Sequence, residues 1–184
     1  MLVLPKLMLQ LLENFPFQNI GISVTPSMVG GVFSGVDYFW KRGDQYASFP
    51  VYTMYEGDVV FGVTQILGKY FIVSKTVGEY RYETVYAQLD HIDGNLQKYA
   101  IIQGDKDFMV PAKYFLGMSG TAGSGLGLRK LHIELYEKNL RTGERKLIDP
   151  YGIFGVSQRK YLQPGLSLAE CHHVWITDKP NFVK

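Results

Sequence analysis

The residues best suited to do chemistry stand in one short stretch, L-R-K-L-H-I-E-L, at residues 128–135. At a period of two, Lys130, His132 and Glu134 fall on one face of a β-strand and the apolar residues fall on the other. A histidine exchanges protons near neutral pH and binds metals through a ring nitrogen, but in a charged row it more often makes structural hydrogen bonds. The pattern therefore predicts a half-buried strand with one ionisable face, and it leaves the role of the histidine open.

The elements that must position this row are predicted to be antiparallel strands. A glycine-rich run at residues 119–127 allows a tight approach of the backbone before the row begins. The strand candidates are residues 51–55, 58–67, 70–76, 80–89, 113–118 and 128–136. The separators at 56–57, 68–69 and 78–79 each contain a glycine, which is typical of successive β-hairpins. Residues 90–111 are less regular, with turns predicted at 94–95 and 104–105. The pattern predicts an all-β fold built on an antiparallel sheet.

Composition narrows the class of protein. The chain has 184 residues, of which 46% are hydrophobic and 20% charged, and this excludes a mostly disordered chain. The formal net charge is only +2 and there is no dense stripe of lysine and arginine with interleaved aromatics, so we expect no nucleic-acid partner. The basic cluster at residues 138–146 has Thr142-Gly143 at its middle and is interpreted as a solvated hairpin tip. A weak contact with an anionic polymer is the less favoured alternative there.

Three further segments give the ionisable strand a family context. They are G-V-F-S-G-V-D-Y at 31–38, Y-A-Q-L at 86–89 and L-I-D-P at 147–150. In this order around L-H-I-E-L, the sequence resembles the lysostaphin-type (LytM-type) zinc peptidoglycan endopeptidases. The resemblance implies a duplicated-hybrid-motif sheet with a substrate-like groove. It divides the chain into an N-terminal extension at 1–29, a LytM-like domain at 30–153 and a C-terminal extension at 154–184.

The resemblance also implies a set of site residues. In the family, an H-x-x-x-D motif supplies two zinc ligands and the last histidine of an H-x-H motif supplies the third. A histidine in a Y-x-H-type motif and the first histidine of H-x-H serve catalysis. Carried over, Asp37 and His132 match ligand positions, whereas Phe33 occupies the third ligand position. Gln88 and Lys130 occupy the two catalytic-histidine positions, so no catalytic residue is intact.

These replacements predict the loss of the family chemistry. Catalytic zinc requires three protein ligands and a bound water. A phenyl ring supplies no ligand, a glutamine amide cannot exchange a proton near neutral pH, and the Lys130 ammonium repels a divalent cation at close range. We therefore expect no zinc cofactor unless the residual pair of Asp37 and His132 still functions. We hypothesise that Lys130 replaces the metal by pairing with Asp37.

Three functions stay open from the sequence. The first is a catalytically inactive LytM-like domain that serves as a structural or assembly module in a phage virion, such as its tail, or in a bacterial cell-envelope complex. Its partners would be protein subunits or further copies of the chain. The second is a non-cutting peptidoglycan-binding module, whose groove would be lined by Tyr38, Trp40, Tyr86 and Tyr136. The third is a zinc-dependent peptidoglycan endopeptidase with an unconventional metal site that recruits His91.

The two ends of the chain give weaker signals. Residues 1–12 are apolar, but they lack the pattern of a signal peptide and are too short and interrupted to span a membrane. Their leucines fall at helical spacing, which predicts a short amphipathic helix. The missing signal pattern favours the virion, because a phage protein reaches the envelope without secretion. Cys171 is the only cysteine, and His172 and His173 follow it. Adjacent strand residues face opposite sides, so we expect no metal role there.

Overall fold

The computed structural model describes residues 22–29, 32–42, 44–102, 108–123 and 127–148. The predicted helix within residues 1–12 and the segment Cys171, His172 and His173 lie outside this part of the chain. The described elements are β1 (Ile22–Val29), β2 (Val32–Arg42), β3 (Gln45–Ala47), β4 (Pro50–Tyr52), β5 (Gly57–Thr64), β6 (Gly68–Val77), β7 (Tyr80–Ile92), α1 (Gly94–Ile102), β8 (Phe108–Val110), β9 (Phe115–Ser119), β10 (Leu131–Asn139) and β11 (Arg145–Ile148). No helix among the described residues has the length and hydropathy needed to cross a membrane.

The eleven described strands form one sheet. Its main order is β1-β2-β10-β7-β6-β5-β8, with β11 beside β10, β3 beside β2, and β9 joining β4 to β7. Every pairing among these strands is antiparallel, so the predicted all-β antiparallel fold is confirmed. Strand β1 pairs with β2 along its whole length, although the sequence assigns residues 1–29 to an extension. Strand β10 lies between β2 and β7, and it is the strand that carries the ionisable row.

The alternation predicted for β10 sets which side of the sheet is the core. Leu131, Ile133 and Leu135 are buried, and Tyr86 on β7 lies directly opposite Ile133. A strand sends successive side chains to opposite faces, so the even-numbered residues of β10 all point away from this core. The buried apolar cluster as a whole consists of Val36, Tyr38, Trp40, Phe49, Val51, Met54, Tyr55, Val59, Phe71, Val73, Tyr86, Leu89, Leu96, Val110, Leu116, Leu131, Ile133 and Leu135.

The structure departs from the predicted elements after β7. Residues 90–111 were expected to be irregular, but α1 occupies Gly94–Ile102. The Asp93 side chain caps the helix, because the backbone N–H of Leu96 donates to Asp93 Oδ1 at 2.7 Å. Leu96 is fully buried and anchors the first turn to the core. The turn expected at 94–95 is therefore wrong, and the one expected at 104–105 lies outside the described residues.

The bounds of several predicted strands also differ. The strand expected at 51–55 ends at Tyr52, since Thr53 turns away to bond with a neighbouring loop. The backbone N–H of Thr53 donates to Tyr114 O at 2.9 Å, and its hydroxyl donates to Pro111 O at 2.8 Å. The hairpin tip expected at 138–146 is narrower, because β10 extends to Asn139 and β11 begins at Arg145.

Gly35 on β2 allows a close approach between β2 and β10. Its φ is +135°, a region that residues with a Cβ rarely adopt. A Cβ at this position would collide with the backbone oxygen of Ile133 and would lie 3.0 Å from Cε1 of His132. The space that a side chain would need is thus occupied by the site-bearing strand.

We predict that Gly35→Ala lowers the free energy of unfolding by about 2 kcal/mol or more, because it combines a strained φ with a backbone collision. Urea unfolding monitored by circular dichroism measures the change. Gly94→Ala is the matched control, since nothing lies near its Cβ and alanine favours the helix that begins there. Equal stability of Gly35→Ala and the parent chain would contradict this account.

Candidate functional site

Strands β2 and β10 place two of the predicted site residues directly opposite one another. Asp37 and His132 are register partners in the antiparallel ladder, and both side chains are buried. His132 Nδ1 lies 2.7 Å from Asp37 Oδ1, a hydrogen-bond distance typical of a charged pair. Asp37 and His132 therefore bind each other directly.

Lys130 completes the coordination of the same carboxylate. Its Nζ donates to Asp37 Oδ2 at 2.6 Å, so the predicted pairing of Lys130 with Asp37 is confirmed. The side chains of Lys130 and Asp37 are 16% and 8% exposed, respectively. The backbone fixes the lysine as well, because its N–H donates to Gly120 O at 3.0 Å. Each oxygen of Asp37 thus has its own cationic donor.

The chain of polar contacts continues along the even-numbered face of β10. His132 Nε2 lies 3.2 Å from Glu134 Oε1, and the Tyr136 hydroxyl donates to Glu134 Oε2 at 2.8 Å. The guanidinium of Arg145 stands over the Tyr136 ring at 3.4 Å from its centroid. We call Lys130, Asp37, His132 and Glu134 the charge network.

The pKa values within the charge network follow from its geometry. Burial alone would raise the pKa of Asp37, but hydrogen bonds from His132 and Lys130 outweigh it and lower that pKa. Burial would lower the pKa of His132, yet its hydrogen bonds to Asp37 and Glu134 raise it to about 8. Burial likewise opposes the lowered pKa of Glu134, which its bonds with His132 and Tyr136 produce. At neutral pH the network therefore alternates two positive and two negative groups.

The residues present do not fit a zinc ion. Both ring nitrogens of His132 face carboxylates, so neither is turned toward an open coordination position. Both oxygens of Asp37 already accept hydrogen bonds from cations. Among the described residues, no group of three or more histidine, cysteine, aspartate and glutamate side chains is placed to hold a metal ion. The Phe33 side chain lies outside the described part, and a phenyl ring offers no ligand atom in any orientation.

Gln88, at the other catalytic-histidine position, is held in an unusual backbone conformation. Its φ is +64°, which is uncommon for a residue with a side chain. Its N–H donates to Leu67 O at 2.8 Å and its carbonyl accepts from Gly120 N at 2.7 Å. The side chain is buried, and Oε1 has no hydrogen-bond partner among the described residues. Gly120 therefore joins the backbones of Gln88 and Lys130.

The predicted groove-lining aromatics need a correction. Tyr38, Trp40 and Tyr86 are only 1%, 7% and 1% exposed and belong to the hydrophobic core. Tyr38 and Trp40 alternate with Asp37 along β2, so they must face the opposite side of the sheet from the site. Tyr86 accepts a hydrogen bond from the backbone N–H of Met54 at 2.9 Å. Tyr136 alone of the four shares the face of the charge network.

The structure also places His91 and the ion pair of Arg145 with Glu83. His91, proposed as a substitute ligand, is exposed near the end of β7 and belongs to no potential metal-binding group among the described residues. Arg145 and its partner Glu83 were not singled out from the sequence. Arg145 Nε donates to Glu83 Oε2 at 2.9 Å, which ties β11 to β7 across β10. This contact depends on the register between β7, β10 and β11. The sequence pattern did not indicate it, because β11 was not among the predicted strands.

Comparisons with known proteins give a likeness of fold. No family model and no curated protein matches the chain. The solved structure of the antimicrobial peptidase lysostaphin from Staphylococcus simulans is similar over 82% of this chain and 48% of that chain, with 17% identity and a TM-score of 0.43. LytU is similar over 83% of this chain and 96% of that chain, with 16% identity and a TM-score of 0.46. The chain thus spans about half of the lysostaphin chain, and conclusions about chemistry rest on the side chains described above.

Removing Lys130 tests whether the charge network holds the fold together. We predict that Lys130→Gln costs about 3 kcal/mol, because a buried carboxylate loses one of its two cationic partners. Lys75→Gln is the matched control, since Lys75 makes a pair of similar length, 2.7 Å, with Glu56, and these side chains are 32% and 60% exposed. That change is expected to stay within about 0.5 kcal/mol. Chemical denaturation measures both, and equal effects would contradict the structural role of Lys130.

The charge network also predicts a pH dependence of stability. The pKa of His132 is about 8 in the folded chain, against an ordinary value of 6.5. Its contribution, about 2 kcal/mol, is present in full below pH 6.5 and is lost as the pH rises through 8. Asp37 and Glu134 act oppositely, since their lowered pKa values stabilise the fold above their ordinary pKa values and this is lost in acid.

We expect the free energy of unfolding of the parent chain to fall between pH 6.5 and pH 9, measured by urea denaturation at constant ionic strength. The variant His132→Gln should lose this fall, whereas His91→Gln, an exposed histidine, should keep it. A parent and a His132→Gln variant with the same pH profile would show that His132 is not the responsible group.

Proposed function

We propose that this chain is a catalytically inactive LytM-like domain that serves as a structural or assembly module. The observation that supports the proposal is the charge network. Asp37 and His132, which match zinc-ligand positions in the resemblance, are hydrogen-bonded to each other, and Lys130 holds the remaining oxygen of Asp37. An internal cation thus takes the place in which the family would hold its metal.

The same geometry argues against hydrolysis by the family mechanism at the site that the described residues form. A general base must be able to accept a proton from water, but His132 is protonated at neutral pH and donates from both ring nitrogens. Gln88 does not titrate, and Lys130 is committed to Asp37. The carboxylates of Asp37 and Glu134 are occupied by internal donors. The site is suited to joining strands β2 and β10 and not to activating a nucleophile.

The setting proposed for this module is a phage virion, such as its tail, or a bacterial cell-envelope complex. The partners would be protein subunits of that assembly or further copies of the chain. A non-cutting wall-binding module is the competing proposal, but three of its four groove aromatics are buried in the core. A live zinc endopeptidase would need a third ligand, which neither Phe33 nor His91 supplies in the described structure.

The zinc content of the purified protein tests this proposal most directly. Protein purified without chelator is expected to contain no stoichiometric zinc by atomic emission, and the same holds for an Asp37→Ala, His132→Ala double variant. The parent should also release no fragments from peptidoglycan, with or without added zinc. Near-stoichiometric zinc that disappears in the double variant would overturn the proposal.

A variant designed to gain zinc binding tests which residues exclude the metal. Phe33→His together with Lys130→His restores the third ligand position and removes the repelling cation, so it should bind zinc where the parent does not. Lys75→Gln with Phe33→His is the control that keeps Lys130. Failure of the Phe33→His, Lys130→His variant to bind zinc would show that Phe33 and Lys130 are not what excludes the metal.

Assembly and wall binding are separated by a sedimentation experiment. A stable homo-oligomer or a tight complex with a subunit, without co-sedimentation on isolated cell walls, is expected for an assembly module. Co-sedimentation of the monomer with walls would favour the wall-binding module instead. The size of the unbound protein is measured by analytical ultracentrifugation in parallel.

A further inference from the structure

Three cationic residues lie side by side across three neighbouring strands. Lys138 on β10 is the register partner of Arg81 on β7 and of Arg145 on β11. Residues directly opposite one another in an antiparallel ladder project to the same face, with Cβ atoms about 5 Å apart. We call Arg81, Lys138 and Arg145 the basic row. Thr76 on β6 is the partner of Arg81 and extends the row by one exposed hydroxyl group.

The three cations of the basic row have two carboxylates near them, Glu83 and Glu134, and Glu134 interacts electrostatically with Arg145. Glu83 is shared, with Oε2 at 2.9 Å from Arg145 Nε and Oε1 at 3.7 Å from Arg81 Nε. Arg81 also donates to the Ser74 hydroxyl at 2.7 Å, yet its buried Nε has no hydrogen-bond partner among the described residues. The neighbouring Glu137 alternates with Lys138 along β10 and so faces the other side of the sheet.

Such a row is costly for an isolated sheet. Like charges directly opposite one another destabilise a pair of strands, and here the central lysine has a like charge on both sides. The geometry nevertheless orients the row. Stacking on Tyr136 and the bond to Glu83 hold the Arg145 guanidinium in place, and the bond to Ser74 holds that of Arg81. An anionic ligand bound to these oriented cations would neutralise their mutual repulsion.

We propose that the basic row binds a linear polymer of phosphate groups. Neighbouring strands are about 4.8 Å apart, so the row spans about 10 Å and presents repeated donors along a line. Guanidinium groups match phosphate oxygens with two parallel hydrogen bonds, and the lysine adds a point charge between them. A nucleic-acid strand is less well matched, because its bases need open aromatic faces and Arg145 already covers Tyr136. The proposal is independent of the one made for the charge network.

Binding of linear inorganic polyphosphate to the full chain tests the proposal. At low ionic strength we expect saturable binding by isothermal titration calorimetry, and we expect it to weaken steeply as salt is added. Lys138→Gln should weaken binding about tenfold, as expected for the loss of a charge-assisted contact, and Lys138→Arg should retain it. Lys98→Gln is the matched control, since Lys98 is exposed on α1 and lies outside the row.

Each of the following results would overturn the proposal or a stated part of it. No polyphosphate binding at low ionic strength, or the same loss in Lys98→Gln as in Lys138→Gln, would overturn the proposal. Orthophosphate that binds as tightly as the polymer would overturn the requirement for a polymer. Oligothymidylate that binds more tightly than polyphosphate of equal charge would overturn the choice of ligand class. Thermal denaturation of each variant confirms that it is folded before binding is compared.

Discussion

The Asp37 carboxylate is the point on which the site depends. It is almost fully buried, and a buried carboxylate is tolerated only when its oxygens are hydrogen-bonded and its charge is compensated. Lys130 and His132 supply one donor to each oxygen, and Glu134 balances the second positive charge. Asp37 and His132 are buried and Lys130 and Glu134 are half-buried, so each charge in the network is compensated by its neighbours. The missing side chain of Gly35 belongs to the same constraint, since β2 could not otherwise lie so close to β10 at this point.

A metal centre and an ion-pair network hold side chains together by different means. A zinc ion brings two positive charges, an open coordination position and a water that it activates. A lysine ammonium brings one positive charge, is covalently attached to the chain, and has no open coordination position for a water or a substrate. Both can hold an aspartate and a histidine strand to strand, but only the metal can bind and polarise a substrate. Function therefore depends on the side chains placed on the sheet and not on the sheet itself.

The sequence was most informative where a local rule and the resemblance agreed. Strands β5, β6 and β7 were predicted because glycine-containing separators mark hairpins, and the pairing of Lys130 with Asp37 was predicted because one charge had replaced another. The helix α1 was missed, as its cap at Asp93 is a single residue in an irregular stretch. Tyr38 was misassigned although its alternation with Asp37 already placed it on the other face. The basic cluster at 138–146 was recognised, but its alignment with Arg81 could not be foreseen, because register between β7, β10 and β11 is set by tertiary pairing.

The distance along the chain between the members of the charge network has a consequence for folding. Asp37 and His132 are 95 residues apart in sequence, and Lys130 and Asp37 are 93 apart. The hairpins formed by β5, β6 and β7 involve local contacts, whereas the pairing of β2 with β10 closes a much longer loop at a larger entropic cost. Interactions that form late contribute little to the folding barrier and act mainly on the rate of unfolding. The charge network is therefore expected to slow the unfolding of the sheet more than it speeds its folding.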